Sequence, residues 1–161
     1  MVDQKAIVSS GRKLLYNIDH LLEARDGVPK PVMFHVCLTN RCQLACPFCC
    51  YRDRVGCEVM PIDRILKFVD DCDRLGTRTW ELTGGGEPLL YPWLDELLDK
   101  LFQARFAVGL MTNGLGLERV KNPGAFRWIR VSLHALEQHE DRLREQIKLV
   151  RSCVKTTCYL S

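Results

Sequence analysis

Between residues 31 and 161, short apolar runs alternate with longer stretches whose apolar residues recur every three or four positions. The runs are PVMFHVCL (31–38), TRTWELT (77–83), AVGLMTNG (107–114), WIRVSLHA (128–135) and a final CYLS (158–161). Each has the length and composition of a buried strand. From Pro61, the residues Ile62, Ile65, Leu66, Val69, Cys72 and Leu75 keep helical spacing, and Gly76 supplies a stop. A second helix is expected over about Trp93 to Gln103, with Trp93 and Leu94 in the core, and a third is marked by Leu136, Leu143, Ile147, Val150 and Val154. A loop or short helix fills the segment before WIRVSLHA. Ahead of all this, Ile7, Leu14, Leu15, Ile18, Leu21 and Leu22 mark an amphipathic helix over roughly 4 to 24, expected to pack on the domain edge.

Strands separated by helices predict an α/β fold whose parallel sheet has right-handed crossovers and is covered on its faces. Chemistry in such sheets gathers at the C-terminal ends of the strands. Those ends carry CQLACPFCC (42–50), GGGEP (84–88), TNG (112–114) and SLHA (132–135). Four informative segments therefore fall on one rim.

With 161 residues, 47% of them hydrophobic, the chain suits one domain with its own core. Its net charge of +3 comes without a basic block, which speaks against a nucleic-acid partner and leaves room for an anionic substrate. Lys5, Arg12, Lys13 and Asp19 interrupt the N-terminus, so neither a signal peptide nor a membrane span is expected and a cytoplasmic location is. Nine cysteines in a reducing compartment point to metal binding or catalysis before disulfides.

Cys42, Cys46 and Cys49 stand as C-x3-C-x2-C on the loop after the first strand. Structural zinc usually takes four protein ligands in separated pairs, and ferredoxin-type clusters take four cysteines at other spacings. Three thiolates suit an iron cluster with one open iron, with zinc as the competing reading. GGGEP has a competing reading as a plain turn, TNG as a strand-ending turn, and Ser132 as a satisfied strand hydroxyl. Cys37 reads as a strand residue, Cys72 as a small core hydrophobe, and His35 and His134 as core or rim residues rather than ligands.

C-x3-C-x2-C after the first strand, with the aromatic Phe48 before the last cysteine, followed by GGGEP after the second, resembles the radical S-adenosylmethionine (SAM) superfamily. The resemblance runs over roughly residues 32 to 161. It implies a partial TIM-like barrel, with residues 1–30 as a helical extension and 31–161 as the core. It also implies a [4Fe-4S] cluster held by Cys42, Cys46 and Cys49, with SAM chelating the fourth iron. Reduction would then cleave SAM to a 5′-deoxyadenosyl radical that abstracts hydrogen from a small-molecule or peptide substrate. By the same resemblance Gly84, Gly85, Gly86 and Glu87 would meet the methionyl end of SAM, a side chain at Gly85 would occupy ligand space, and Phe48 would lie beside the adenine. Ser132 would touch the ribose or carboxylate, and Thr112 and Asn113 would meet SAM or substrate. A reductant such as flavodoxin or ferredoxin is implied as partner.

Relatives build six β-α units, whereas this sequence stops inside the fifth strand and lacks that strand's SAM segment. The expectation is a truncated chain with an uncovered sheet edge, prone to self-association or dependent on a complementing chain. A catalytically incompetent iron–sulfur or zinc-binding module is the alternative to an active enzyme.

Overall fold

The protein was analysed as a computed structural model, which describes residues 18–27, 29–132, 136–153 and 158–160. Its elements follow the expected order. Helix α1 covers Ile18–Asp26 and strand β1 Met33–Cys37; helix α2 (Ile62–Arg74) leads to β2 (Thr79–Thr83). Helix α3 (Leu94–Gln103) leads to β3 (Ala107–Thr112), and two short 3₁₀ turns, Leu117–Arg119 and Pro123–Ala125, occupy the segment before β4 (Phe126–Val131). Helix α4 (Leu136–Cys153), kinked at His139, precedes β5 (Cys158–Leu160). The five strands pair in sequence order, all parallel. This is the α/β, partial-barrel arrangement expected from the sequence, with β1 and β5 at the edges among the described residues.

Alternation along the strands sorts the side chains onto two faces. Phe34 and Trp80 turn toward α2, where Phe68 packs between them at centroid distances of 5.0 and 5.4 Å. Trp80 also meets Phe106 edge-on at 6.0 Å. Val69, Trp80, Leu82, Leu97, Leu101 and Leu110 are fully buried in this outer layer. Burial also pushes the Cys72 thiol up to about 11, helped by the Asp71 carboxylate, which leaves it the inert core residue expected. Helix α2 stops where Gly76, at φ 76°, lets the Thr77 amide turn back to the Cys72 carbonyl at 3.0 Å.

The opposite face lines the inside of the partial barrel. His35, Glu81, Gly109 and Trp128 follow one another across β1 to β4 in a single register row. His35 Nδ1 lies 2.8 Å from Glu81 Oε1. Trp128 lays its indole against the backbone of Gly109, beside the register shift at Val108/Gly109.

Several local expectations need correction. Helix α1 runs to Asp26, while residues 4–17 of the expected 4–24 helix lie outside the described residues. Its Ile18, Leu21 and Leu22 are about half exposed, so this stretch is not sunk into the domain edge. Trp93 is 40% exposed, stacking edge-on against Tyr91, and only Leu94 enters the core. Strand β4 ends at Val131, so Ser132 follows the strand rather than lying within it, and His134 is outside the described residues. No helix among the described residues is long and apolar enough to cross a membrane.

The Gly109 contact yields a test of packing. Gly109→Ala would drive a methyl group into the Trp128 ring, which is buried and has nowhere to move, and should cost about 1–3 kcal/mol in urea denaturation. Gly27→Ala, whose Cβ would meet nothing nearer than 3.5 Å, should change stability by less than about 0.5 kcal/mol.

Candidate active site

The cysteine segment is a loop whose two ends are fastened together. Thr39 and Val59 form an antiparallel bridge, the Asn40 amide donates to the Glu58 carbonyl at 2.9 Å, and the Met60 amide to the Leu38 carbonyl at 2.8 Å. Thr39 Oγ1 adds a bond to the same Glu58 oxygen at 3.0 Å. Inside the loop the Cys49 amide donates to the Cys46 carbonyl at 3.1 Å and the Arg52 amide to the Cys49 carbonyl at 3.0 Å, so two successive turns present the thiols. Cys42, Cys46 and Cys49 are half-buried, and Cys50 and Cys57 are exposed.

The glycine segment after β2 docks by its backbone onto the start of that loop. The Gly86 amide donates to the Thr39 carbonyl at 2.8 Å and the Glu87 amide to the Arg41 carbonyl at 2.7 Å. A Cβ on Gly86 would strike the Arg41 carbonyl, and one on Gly84 would strike the Gly86 carbonyl. A Cβ on Gly85 would come within 2.5 Å of Asn40 Oδ1. These positions need glycine for close backbone approach. Gly85 lines the cleft, and a side chain there would first meet the end of the Asn40 side chain.

Glu87 has structural partners of its own. Its side chain is buried at the base of the cleft wall and reaches toward the end of β3. Oε1 accepts from Thr112 Oγ1 at 2.6 Å and from the Leu89 amide at 3.0 Å, while Oε2 accepts from the Asn113 amide at 2.8 Å. Burial pushes this carboxyl above its ordinary range, against the pull of the three donors. Its oxygens tie the TNG turn to the glycine segment.

Asn113 in turn connects that turn to the cysteine loop. Its Oδ1 accepts from the Leu115 amide at 2.9 Å and from Gln43 Nε2 at 3.2 Å, and its Nδ2 lies 3.9 Å from Cys42 Sγ. Ser132 joins the rim through its own amide, which donates to the Thr112 carbonyl at 2.8 Å.

Between these segments opens a cleft of about 370 Å³. Every residue proposed for it from the sequence lines it: Cys42, Cys46, Phe48 and Cys49; Gly84, Gly85, Gly86 and Glu87; Thr112, Asn113 and Ser132. Phe48 stands 60% exposed at the mouth. Sequence reasoning missed Leu44, Arg54, Met111 and Arg130, which share the lining. Arg130 was within reach, because Trp128, Arg130 and Ser132 follow at period two, and its guanidinium sits 5.7 Å from the Trp128 ring centroid. The expected loop position of Cys50 also places it on the cleft wall.

The chemistry of these donors suits an iron–sulfur group. Three thiols face one cleft, two of them have a nitrogen donor at 3.9 Å, and the lining carboxylate, Glu87, has both oxygens occupied. Among the described residues no three His, Cys, Asp or Glu side chains converge as ligands of one metal ion.

The sequence matches the Radical SAM superfamily over residues 36–156. It is 33% identical over 131 residues to the GTP 3′,8-cyclase of Synechococcus sp. (strain CC9605), an alignment that takes in 72% of this chain and 38% of that protein. The GTP 3′,8-cyclase of Helicobacter pylori (strain J99 / ATCC 700824) is 32% identical over 112 residues, 63% of this chain and 34% of that one. The chain thus spans less than two-fifths of the length of these curated relatives. Among solved structures, Streptococcus suis SuiB bound to S-adenosylmethionine superposes with a TM-score of 0.66 at 18% identity, covering 96% of this chain and 40% of SuiB. BtrN in complex with AdoMet and 2-DOIA gives a TM-score of 0.63 at 18% identity, over 80% of this chain and 56% of BtrN. Those two likenesses speak to the fold. The sequence match covers most of the chain, including both the cysteine loop and the glycine segment, and on it the chain belongs to the radical SAM superfamily, enzymes that work with a [4Fe-4S] cluster and S-adenosylmethionine.

Proposed function

We propose that this chain carries the cluster- and SAM-binding part of a radical SAM enzyme, residues 31–161 forming that core and residues 1–30 an extension to it. The observation that carries the reading is the cleft itself, where three loop cysteines and the glycine segment from the next strand end face one space. Cys42, Cys46 and Cys49 would hold three irons of a [4Fe-4S] cluster, leaving the fourth for SAM. When bound, the cluster supplies the electron that cleaves SAM to a 5′-deoxyadenosyl radical able to abstract hydrogen.

The residues of the chain divide the remaining work. The backbone of Gly84, Gly85 and Gly86 would approach the methionyl end of SAM, because no side chain stands between it and the cleft. Phe48, at the mouth, offers a ring face to the adenine. Ser132 and Arg130, on the far wall, offer a hydroxyl and a guanidinium to the ribose or carboxylate. Glu87 braces Thr112 and Asn113 rather than touching SAM. Substrate would reach the cleft from the inner face of the sheet. The GTP 3′,8-cyclase relatives bring a purine nucleotide forward as one substrate to try.

The reductant would be a flavodoxin or ferredoxin, and the site of action the cytoplasm, where thiols stay reduced. Self-association or association with a complementing chain is proposed as a further partnership.

Anaerobic reconstitution should load about four iron and four sulfide per chain, and reduction with SAM should release 5′-deoxyadenosine. Alanine at Cys42, Cys46 or Cys49 should abolish the cluster, while Cys72→Ala should retain it. Equal loss in all four variants, or zinc in place of iron after anaerobic preparation, would replace this reading with that of a non-catalytic metal module. A cluster that forms without SAM cleavage would mark an incompetent one.

The bracing role of Glu87 has its own signature. Because burial raises its carboxyl pKa in the folded state, the fold binds that proton more tightly than the unfolded chain does. The contribution is whole below the ordinary carboxylate range and is lost as pH rises through the raised folded value. Urea denaturation should therefore show the native protein losing stability relative to Glu87→Gln over the interval above the ordinary carboxylate range. A difference that stays flat across that interval would show the carboxyl to be ordinary.

A further inference from the structure

Arg54 does something that neither the ligand set nor the proposed SAM contacts require. It follows Cys49 by five residues, is half-buried, and folds its side chain back into the cysteine loop. Nε donates to the Asn40 carbonyl at 2.9 Å, Nη1 to the Tyr51 carbonyl at 2.8 Å, and Nη2 to the Leu44 carbonyl at 3.4 Å. These acceptors lie before Cys42, between Cys42 and Cys46, and after Cys49. Nη1 also stands 3.9 Å from Cys49 Sγ. Three carbonyls from separate turns thus converge on one planar fork, a geometry that a guanidinium can satisfy and an ammonium cannot.

The charge on this fork is unanswered by any acid of the described residues. Among the described residues, Arg54 bonds to carbonyls and one sulfur and to no carboxylate. Arg52, two residues earlier, shows the ordinary alternative: it is exposed, and its Nε faces Asp53 at 3.3 Å. A cation left without an acid and held against a cysteine sulfur is placed to answer negative charge on that sulfur.

We infer that Arg54 is a positioning residue for the cluster, fixing the cysteine loop in its receiving shape before iron arrives and stabilising the reduced cluster through an N–H···S contact at Cys49. The inference rests on the functional reading above. Adding an electron makes the cluster more negative, so a nearby cation and a donor on one of its sulfurs favour the reduced form and raise the midpoint potential. Holding the loop beforehand lowers the ordering cost when the cluster binds.

Two variants of the full chain separate the fork from the charge. Arg54→Ala removes both, and Arg54→Lys keeps the charge but cannot span three carbonyls. In the iron-free protein, hydrogen exchange of peptides covering residues 42–58 should be faster by roughly tenfold in both variants, with α2 and α3 unchanged. In the reconstituted protein, redox titration followed by the paramagnetic spectrum should give a more negative midpoint for Arg54→Ala and a value near the native one for Arg54→Lys. Native-like exchange in Arg54→Ala would overturn the clamp, and a native-like midpoint would overturn the charge effect. If Arg54→Ala takes up no cluster, Arg54→Gln, which has no charge, takes its place in the titration with the same expectation. A native chain that binds no iron would instead overturn the functional reading, while the iron-free exchange measurement would still decide the clamp.

Discussion

A buried acidic side chain holds the rim of strand ends together. Glu87 sits at the end of the glycine segment and spends both oxygens on groups around the end of β3, while its own amide is fixed to the carbonyl of Arg41. One residue thereby joins three strand-end loops that are distant in sequence. In a parallel sheet neighbouring strand ends are not connected by tight turns, so contacts of this kind, with the Gly86–Thr39 and Gln43–Asn113 bonds beside them, are what bring these loops into register. Satisfying a buried acid with three donors is demanding, because each unmatched partner would leave a polar group stranded from water.

The glycines serve the same arrangement from the backbone side. Gly86 and Gly84 are tight because carbonyl oxygens occupy the space a Cβ would take. The cysteine loop and the glycine segment are therefore packed main chain to main chain, with hydrogen bonds of 2.7 and 2.8 Å between them. Contact of this kind sets the distance between thiols and glycine segment far more firmly than contact between flexible side chains would. The inner face differs in character, with the His35–Glu81 pair and the Arg130–Trp128 contact placing polar groups on strands that elsewhere bury apolar ones.

Much of this was legible in the sequence, for identifiable reasons. The strands and helices show because burial on one or two faces leaves a periodic trace, and the cysteine triplet and GGGEP show because backbone wrapping and close approach need fixed residues at fixed offsets. What was not legible depends on where a side chain points once the loops meet. The partners of Glu87, Thr112 and Asn113, lie 25 and 26 residues away. Nothing in the sequence places Asn40 beside Gly85. Trp93 carries a core residue's composition, yet helix α3 begins one position later and turns it outward. Arg54 lies among several loop arginines, and only its three carbonyl acceptors distinguish it.

The fastening of Thr39 to Val59 has a consequence for how such a chain can change. With its two stems hydrogen-bonded to each other, the stretch from 40 to 58 hangs from the sheet like a cartridge from a socket. Residues could be gained or lost between the stems without moving β1 or α2, since loop closure depends only weakly on length. Only the exposed tip at Val55 and Gly56, beyond Arg54, is free of the bonds that Arg54 makes, so a change of length there would leave both the clamp and the barrel that presents it in place.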